Sequence, residues 1–137
     1  MQSQHTLFIC TTCASQYQDK KKVGESGGDR LINQIQNAVQ NWELAPEFSV
    51  QPVQCLSTCS HACAIAFLAP NKLTYLFGDL PIEDNQIEST ATTVLECAAQ
   101  YYTHPEGLLS YQERPELLKN RVIARIPPLP VSPSLAN

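Results

Sequence analysis

Five of the six cysteines fall into two short groups, Cys10-Thr11-Thr12-Cys13 and Cys55-Leu56-Ser57-Thr58-Cys59-Ser60-His61-Ala62-Cys63. Scattered thiols pack as small apolar residues, whereas thiols gathered at two- and three-residue intervals can converge on one metal or cluster as thiolates. A chain of 137 residues is long enough to bury a hydrophobic core as one domain without disulfide staples. The grouping therefore calls for an explanation other than stability.

A formal charge of -4 with 16% charged residues gives no broad basic field, which argues against nucleic acid as a partner. An acidic surface suits docking onto a basic protein. No apolar run approaches a membrane span, so no membrane partner is expected. The opening Met1-Gln2-Ser3-Gln4-His5 lacks a positive charge followed by a long apolar stretch, so no secretory signal is expected. The expected compartment is then the reducing cytoplasm, where cysteine clusters bind metal or do redox chemistry more often than they form structural disulfides.

Residues 6–9 read as a short buried strand that delivers Cys10 and Cys13 at its C-terminal end. Residues 14–28, polar with Lys20-Lys21-Lys22 and Gly24, Gly27 and Gly28, read as an exposed loop. Asp29 is the expected N-cap of a helix whose apolar positions are Leu31, Ile32, Ile35, Val39 and Trp42, and Pro46 closes that segment. A second strand fits residues 48–54, with Pro52 indicating an edge position. Residues 64–69 and 73–77 read as a hairpin turning at Pro70-Asn71-Lys72. A second helix fits residues 86–102, with Ile87, Ala91, Val94, Leu95, Ala98 and Tyr102 as its apolar stripe. This order predicts an α/β sandwich with two main helices covering a small mixed sheet. The first domain spans residues 1–104; residues 105–137 form a largely extended C-terminal extension in which Arg125-Ile126-Pro127-Pro128-Leu129-Pro130 is a Pro-rich tail without helix. There is no internal repeat.

Both cysteine groups then sit at C-terminal ends of strands, the edge where open α/β sheets place their ligands. Soft thiolates suit zinc or iron-sulfur iron, and all-cysteine ligation occurs with both. The spacings C-x2-C and C-x3-C-x3-C match neither a zinc ribbon nor the plant-type or bacterial ferredoxin runs.

The run Cys55-Leu56-Ser57-Thr58-Cys59, the apolar residues 64–68 and the turn before Leu73-Thr74-Tyr75 resemble the second half of the thioredoxin-like [2Fe-2S] ferredoxins. That family includes the small iron-sulfur subunit of respiratory complex I and hydrogenase-linked relatives. With the strand ending in Cys10 and the two helices, the resemblance covers about residues 6–103. Cys10-Thr11-Thr12-Cys13, the Cys55–Cys63 run and Arg125-Ile126-Pro127-Pro128 resemble still more a bacterial family of unknown function described as predicted metal-binding proteins. The resemblance implies a thioredoxin-like sandwich, a [2Fe-2S] cluster held by Cys10, Cys13, Cys55 and Cys59, and transfer of single electrons to a redox partner protein. Two features depart from it. The family usually spaces its first two cysteines more widely than Cys10 and Cys13, and it usually has proline at the position of Cys63. The fifth thiol could replace a ligand, stand beside the cluster, or bind a different metal.

Thiol-disulfide chemistry is the main rival, since thioredoxins carry a C-x-x-C pair after the first strand, at a helix N-terminus that activates it. Here residues 14–28 separate Cys13 from the helix, so the macrodipole is not expected to reach Cys10. A zinc or cobalt binding module, or a protein that delivers such a metal to an enzyme, is the third class. Cys97, one position from Ala98 on a helix with an apolar stripe, reads as a packing residue. His61, between two candidate ligands, reads more readily as a solvated loop histidine than as a ligand. Gly24-Glu25-Ser26-Gly27-Gly28 lacks the lysine and spacing of a phosphate loop. Lys20-Lys21-Lys22 reads as a solvated loop. No catalytic residue is assigned, no oligomeric interface is legible, and a homodimer stays open.

Overall fold

Along β1 (His5–Cys10) the apolar positions alternate: Leu7 and Ile9 are wholly buried, whereas Thr6 and Phe8 are half-buried, so one side of the strand faces the core. The structure, a computed structural model, describes residues 5–11, 16–18, 21–24, 26–54, 56 and 63–130. In chain order β1 is followed by β2 (Gln16–Gln18), β3 (Lys21–Val23), α1 (Gly27–Val39), β4 (Phe48–Val53), β5 (Ile65–Leu68), β6 (Thr74–Phe77), α2 (Ile87–Thr103) and β7 (Val122–Ile126). Five strands form one sheet in the order β4-β1-β5-β6-β7. The β1–β4 pair is parallel and the other neighbours are antiparallel. The two helices pack against each other, and one core joins Leu31 and Ile35 of α1 and Val94 and Ala98 of α2 to Ile9, Ile65, Phe67 and Phe77 of the sheet. This is the expected mixed α/β sandwich with two main helices.

Pro52 lies on β4, at the sheet margin as expected. Its missing N–H removes no bond from an interior ladder there. The β5–β6 hairpin forms where expected, with Asn71 at φ 65°, a left-handed conformation that asparagine tolerates better than most residues.

The polar stretch before α1 departs from the expectation. β2 and β3 pair as a small antiparallel hairpin, and Gly27 and Gly28 belong to the helix. The N-cap is Ser26, not Asp29: the Ser26 hydroxyl accepts from the Asp29 N–H at 2.9 Å, and the Asp29 carboxylate accepts from the Ser26 N–H at 3.1 Å. A serine cap with an acidic residue three positions on satisfies two otherwise orphaned amides, which moves the helix start ahead of Asp29. Gly28 permits the close approach of α1 to β1: a Cβ there would run into the Cys10 carbonyl oxygen and lie 2.9 Å from the Thr11 Cα. At its other end α1 stops at Val39, and Trp42 lies beyond it, its ring 5.1 Å from that of Phe48.

On α2 the apolar stripe ends at Tyr101, which is fully buried, instead of Tyr102. The Tyr101 hydroxyl donates to the Leu73 carbonyl at 2.6 Å. The last turn carries no basic residue of its own. Lys72, from the hairpin turn, supplies the charge instead: its buried ammonium donates to the carbonyls of Tyr101 and Tyr102 at 2.9 and 3.0 Å, a cation at the negative helix end. Burial pushes the Lys72 pKa below its ordinary value.

Beyond residue 104, Leu109 and Leu118 are fully buried. The Tyr75 hydroxyl accepts from the Leu109 N–H at 2.8 Å. Val122–Ile126, which falls within the C-terminal extension of the sequence reading, pairs with β6 as the fifth strand. Pro127, Pro128 and Leu129 follow it along a groove of about 610 Å³ that is also lined by Thr6 and Phe8. No helix among the described residues is long and apolar enough to cross a membrane.

Two stability predictions follow from this packing. Alanine usually stabilises a helix relative to glycine by about 0.5–1 kcal/mol, but at Gly28 the methyl meets backbone that cannot rotate away. Gly28→Ala should therefore destabilise the fold by roughly 1–3 kcal/mol, measured as a lower urea midpoint; a raised midpoint would contradict the close packing. Cys97 is wholly buried and its pKa is pushed up to about 12 by burial, against a smaller opposing effect of Arg114. It behaves as an apolar side chain, so Cys97→Ala should cost on the order of 1 kcal/mol through a small cavity and leave metal content unchanged. Loss of bound metal in that variant would assign Cys97 to the site.

Candidate metal centre

Because β1 and β4 run parallel, with Cys10 opposite Val53, both strands end at the same edge of the sheet. β5 runs antiparallel to β1 and begins at Ile65, so the residue two positions before it, Cys63, lies at that edge as well. Three segments that carry or flank cysteines thus meet by topology alone.

Backbone hydrogen bonds join them. The Cys10 N–H donates to the Ala64 carbonyl at 3.1 Å, and the Thr11 N–H donates to the Val53 carbonyl at 2.8 Å. The Thr11 hydroxyl donates to that same carbonyl at 3.1 Å. The Cys10 Sγ lies 4.0 Å from the carbonyl oxygen of Gln54, the residue before Cys55. Cys10 is 2% exposed and Cys63 is wholly buried, so both sulfurs are withdrawn from bulk water. Leu56, the one described residue between Gln54 and Cys63, packs against the core.

Of the expected site residues, the structure places Cys10 and Cys63 at one sheet edge. Cys13, Cys55, Cys59 and His61 lie outside the described residues. Among the described residues no three of histidine, cysteine, aspartate or glutamate gather as a metal-holding group. Cys97 is on α2, in the core, as expected of a packing residue. The donor chemistry at the edge fits a soft metal or cluster: buried sulfur, with neighbouring backbone held by the sheet.

Three further elements frame the edge, and the sequence reading missed them. The Leu80 N–H donates to the Cys63 carbonyl at 3.2 Å. Arg30, in the first turn of α1, donates to the Ile82 carbonyl at 2.8 Å and pairs with Asp84 at 2.6 Å. The Ser26 hydroxyl donates to the Thr11 carbonyl. With Gly28 packed on the Cys10 carbonyl, the N-terminal turn of α1 sits directly on the Cys10–Thr11 backbone. This corrects the expectation that residues 14–28 keep the helix end away from Cys10: the intervening chain pairs with itself as the β2–β3 hairpin, and Gly28 and Ser26 meet Cys10 and Thr11. The Ser26-Gly27-Gly28-Asp29 run held the signal, as a capping pattern.

The chain is similar in fold to a solved structure of a thioredoxin-like [2Fe-2S] ferredoxin from Aquifex aeolicus, with a TM-score of 0.53 and 11% sequence identity over 90% of this chain and 94% of that one. At that identity the likeness establishes a thioredoxin-like fold. No curated protein matches the sequence. Residues 7–128 match the family described as "Protein of unknown function (DUF1636)", and since the match runs from within β1 to the end of β7 and takes in every cysteine, the chain belongs to that family.

Proposed function

We propose that the protein binds one [2Fe-2S] cluster through Cys10, Cys13, Cys55 and Cys59 and carries single electrons to or from a redox partner protein. The observation that supports this most is the convergence of the ends of β1 and β4 and the start of β5 on one sheet edge, which brings both cysteine-bearing segments together. The fold likeness to a [2Fe-2S] ferredoxin points the same way.

When bound, such a cluster supplies reversible one-electron transfer. The chain's part is to hold it and tune it. Sheet hydrogen bonds from Cys10 and Thr11 fix the backbone on either side of the Cys10 ligand. The positive end of α1, seated on that backbone, favours the more negative reduced state. No substrate pocket is required of an electron carrier, and a reducing compartment such as the cytoplasm would keep the thiols available.

The contact of α1 with Cys10–Thr11 also favours a second reading, a C-x-x-C thiol-disulfide oxidoreductase, because a helix N-terminus activates thiols in that role. Zinc or cobalt binding is the third possibility consistent with the donor set. Anaerobic purification separates the three. Iron and acid-labile sulfide in equal amount, with a brown-red colour, are expected; stoichiometric zinc without sulfide, or a colourless protein that reduces disulfides, would overturn the cluster. Cys55→Ser and Cys59→Ser should bleach the protein and lower its melting temperature, since metal binding contributes folding energy. Unchanged visible absorption in both would remove them from the site.

Cys63 should stand next to the cluster without an iron bond. Cys63→Ser is then expected to keep iron and sulfide while shifting the reduction potential, because polarity and access around a cluster tune it. Complete loss of iron in Cys63→Ser, with retention in Cys13→Ser, would redraw the ligands as Cys10, Cys55, Cys59 and Cys63.

A further inference from the structure

We infer that Ser26 is a positioning residue for the metal centre: its hydroxyl links the Thr11 carbonyl to the first turn of α1 and so holds the Cys10 segment against the positive end of that helix. The inference rests on Cys10 being a ligand, as proposed above.

Thr11 is where three parts of the chain meet. Its N–H is held by Val53 at the end of β4, its neighbour Cys10 is held by Ala64 before β5, and its carbonyl is held by Ser26 ahead of α1. The first two links are sheet bonds that any side chain would allow. The third depends on one hydroxyl. Ser26 is wholly buried, and its hydroxyl has both capacities engaged, donating to Thr11 and accepting from the Asp29 N–H. Cap and tether are therefore the same atom. A serine needed only to cap the helix would be equally served by other capping residues, whereas the tether needs a donor directed at Thr11.

The physical consequence concerns charge. The reduced cluster is one unit more negative than the oxidised one, so the positive end of α1 stabilises reduction and raises the potential. This influence falls off within the first turn of a helix, so it depends on the segment staying in contact. Without the tether the segment gains freedom to withdraw, the reduced state loses that stabilisation, and the potential falls.

The test compares Ser26→Gly with Asp29→Ala. Glycine is itself accepted at an N-cap, so Ser26→Gly keeps a helix start while deleting the tether. Asp29→Ala breaks the reciprocal half of the cap and leaves the Ser26 to Thr11 link. Redox titration of the anaerobically purified proteins should show a lower potential for Ser26→Gly, with several-fold faster iron release to a chelator. Asp29→Ala should lower the melting temperature and, because it removes a negative charge from the first turn of α1, should not lower the potential. Ser26→Thr, which retains the hydroxyl, should keep the wild-type potential, and it serves as the deciding variant if Ser26→Gly does not fold. A wild-type potential and release rate in Ser26→Gly, a fall in potential in Asp29→Ala as large as in Ser26→Gly, or a lowered potential in Ser26→Thr overturns the assignment. If the wild-type protein contains neither iron nor sulfide, the cluster reading fails by itself. Titration with Co²⁺, read by its thiolate charge-transfer absorption, then replaces the potential: weaker binding by Ser26→Gly supports the role of Ser26, and equal binding, or none by the wild type, overturns it.

Discussion

The parallel pairing of β1 with β4 is the constraint on which the rest of the site depends. Two strands that are neighbours in an antiparallel hairpin end at opposite edges, but parallel strands end together, and the register that sets Cys10 opposite Val53 leaves no freedom in where the two cysteine-bearing segments emerge. Parallel pairing needs a crossover, and α1 supplies it. The same helix that makes the pairing possible is thereby carried back to the strand edge, where its first turn meets Cys10 and Thr11. Crossover and site framework are one element.

How closely that helix can approach is decided by a missing atom. Gly28 places helix backbone against the Cys10 carbonyl at a separation that a Cβ would prohibit. Ser26 closes the contact with a hydrogen bond to Thr11, and Arg30 extends it to residues 82 and 84. Those residues continue the segment whose Leu80 N–H holds Cys63. One helical turn therefore reaches both halves of the cysteine constellation, and a shift in it would be felt at both.

Strands β1, β4, β5 and β6 and the two main helices were legible because they rest on local patterns. Alternation marked β1, a proline marked the margin of the sheet at β4, and Pro70-Asn71-Lys72 marked the hairpin. The framework around Cys10 was harder to read, because distance along the chain was taken for distance in space. Residues 14–28 look like a spacer, yet the entropy of closing a loop grows only as the logarithm of its length, and a hairpin inside the loop shortens its effective reach further. The capping box was visible as Ser26 followed by Asp29, but two glycines between them suggested a loop. Lys72 capping α2 and the strand Val122–Ile126 depend on partners about 30 and about 50 residues away, which local patterning does not reveal. Cys13, Cys55 and Cys59 of the proposed ligand set lie outside the described residues, so their support comes from the family resemblance and from the strand ends on either side.

Cys63 shows why the number of thiols does not define a metal site. It is wholly buried, beside Ala64 and Ile65, and its carbonyl is engaged by the Leu80 N–H. Proline at such a position would contribute ring packing and rigidity and no donor of its own. Cysteine fills a similar small volume and adds a polarizable sulfur with a weak S–H donor. A neutral sulfur next to thiolates changes the local polarity without adding a charge, whereas a fifth thiolate would add one and raise the cost of reduction. A thiolate withdrawn from water is costly unless a cation shares its charge. Metal recruitment and neutrality are therefore alternatives for this residue.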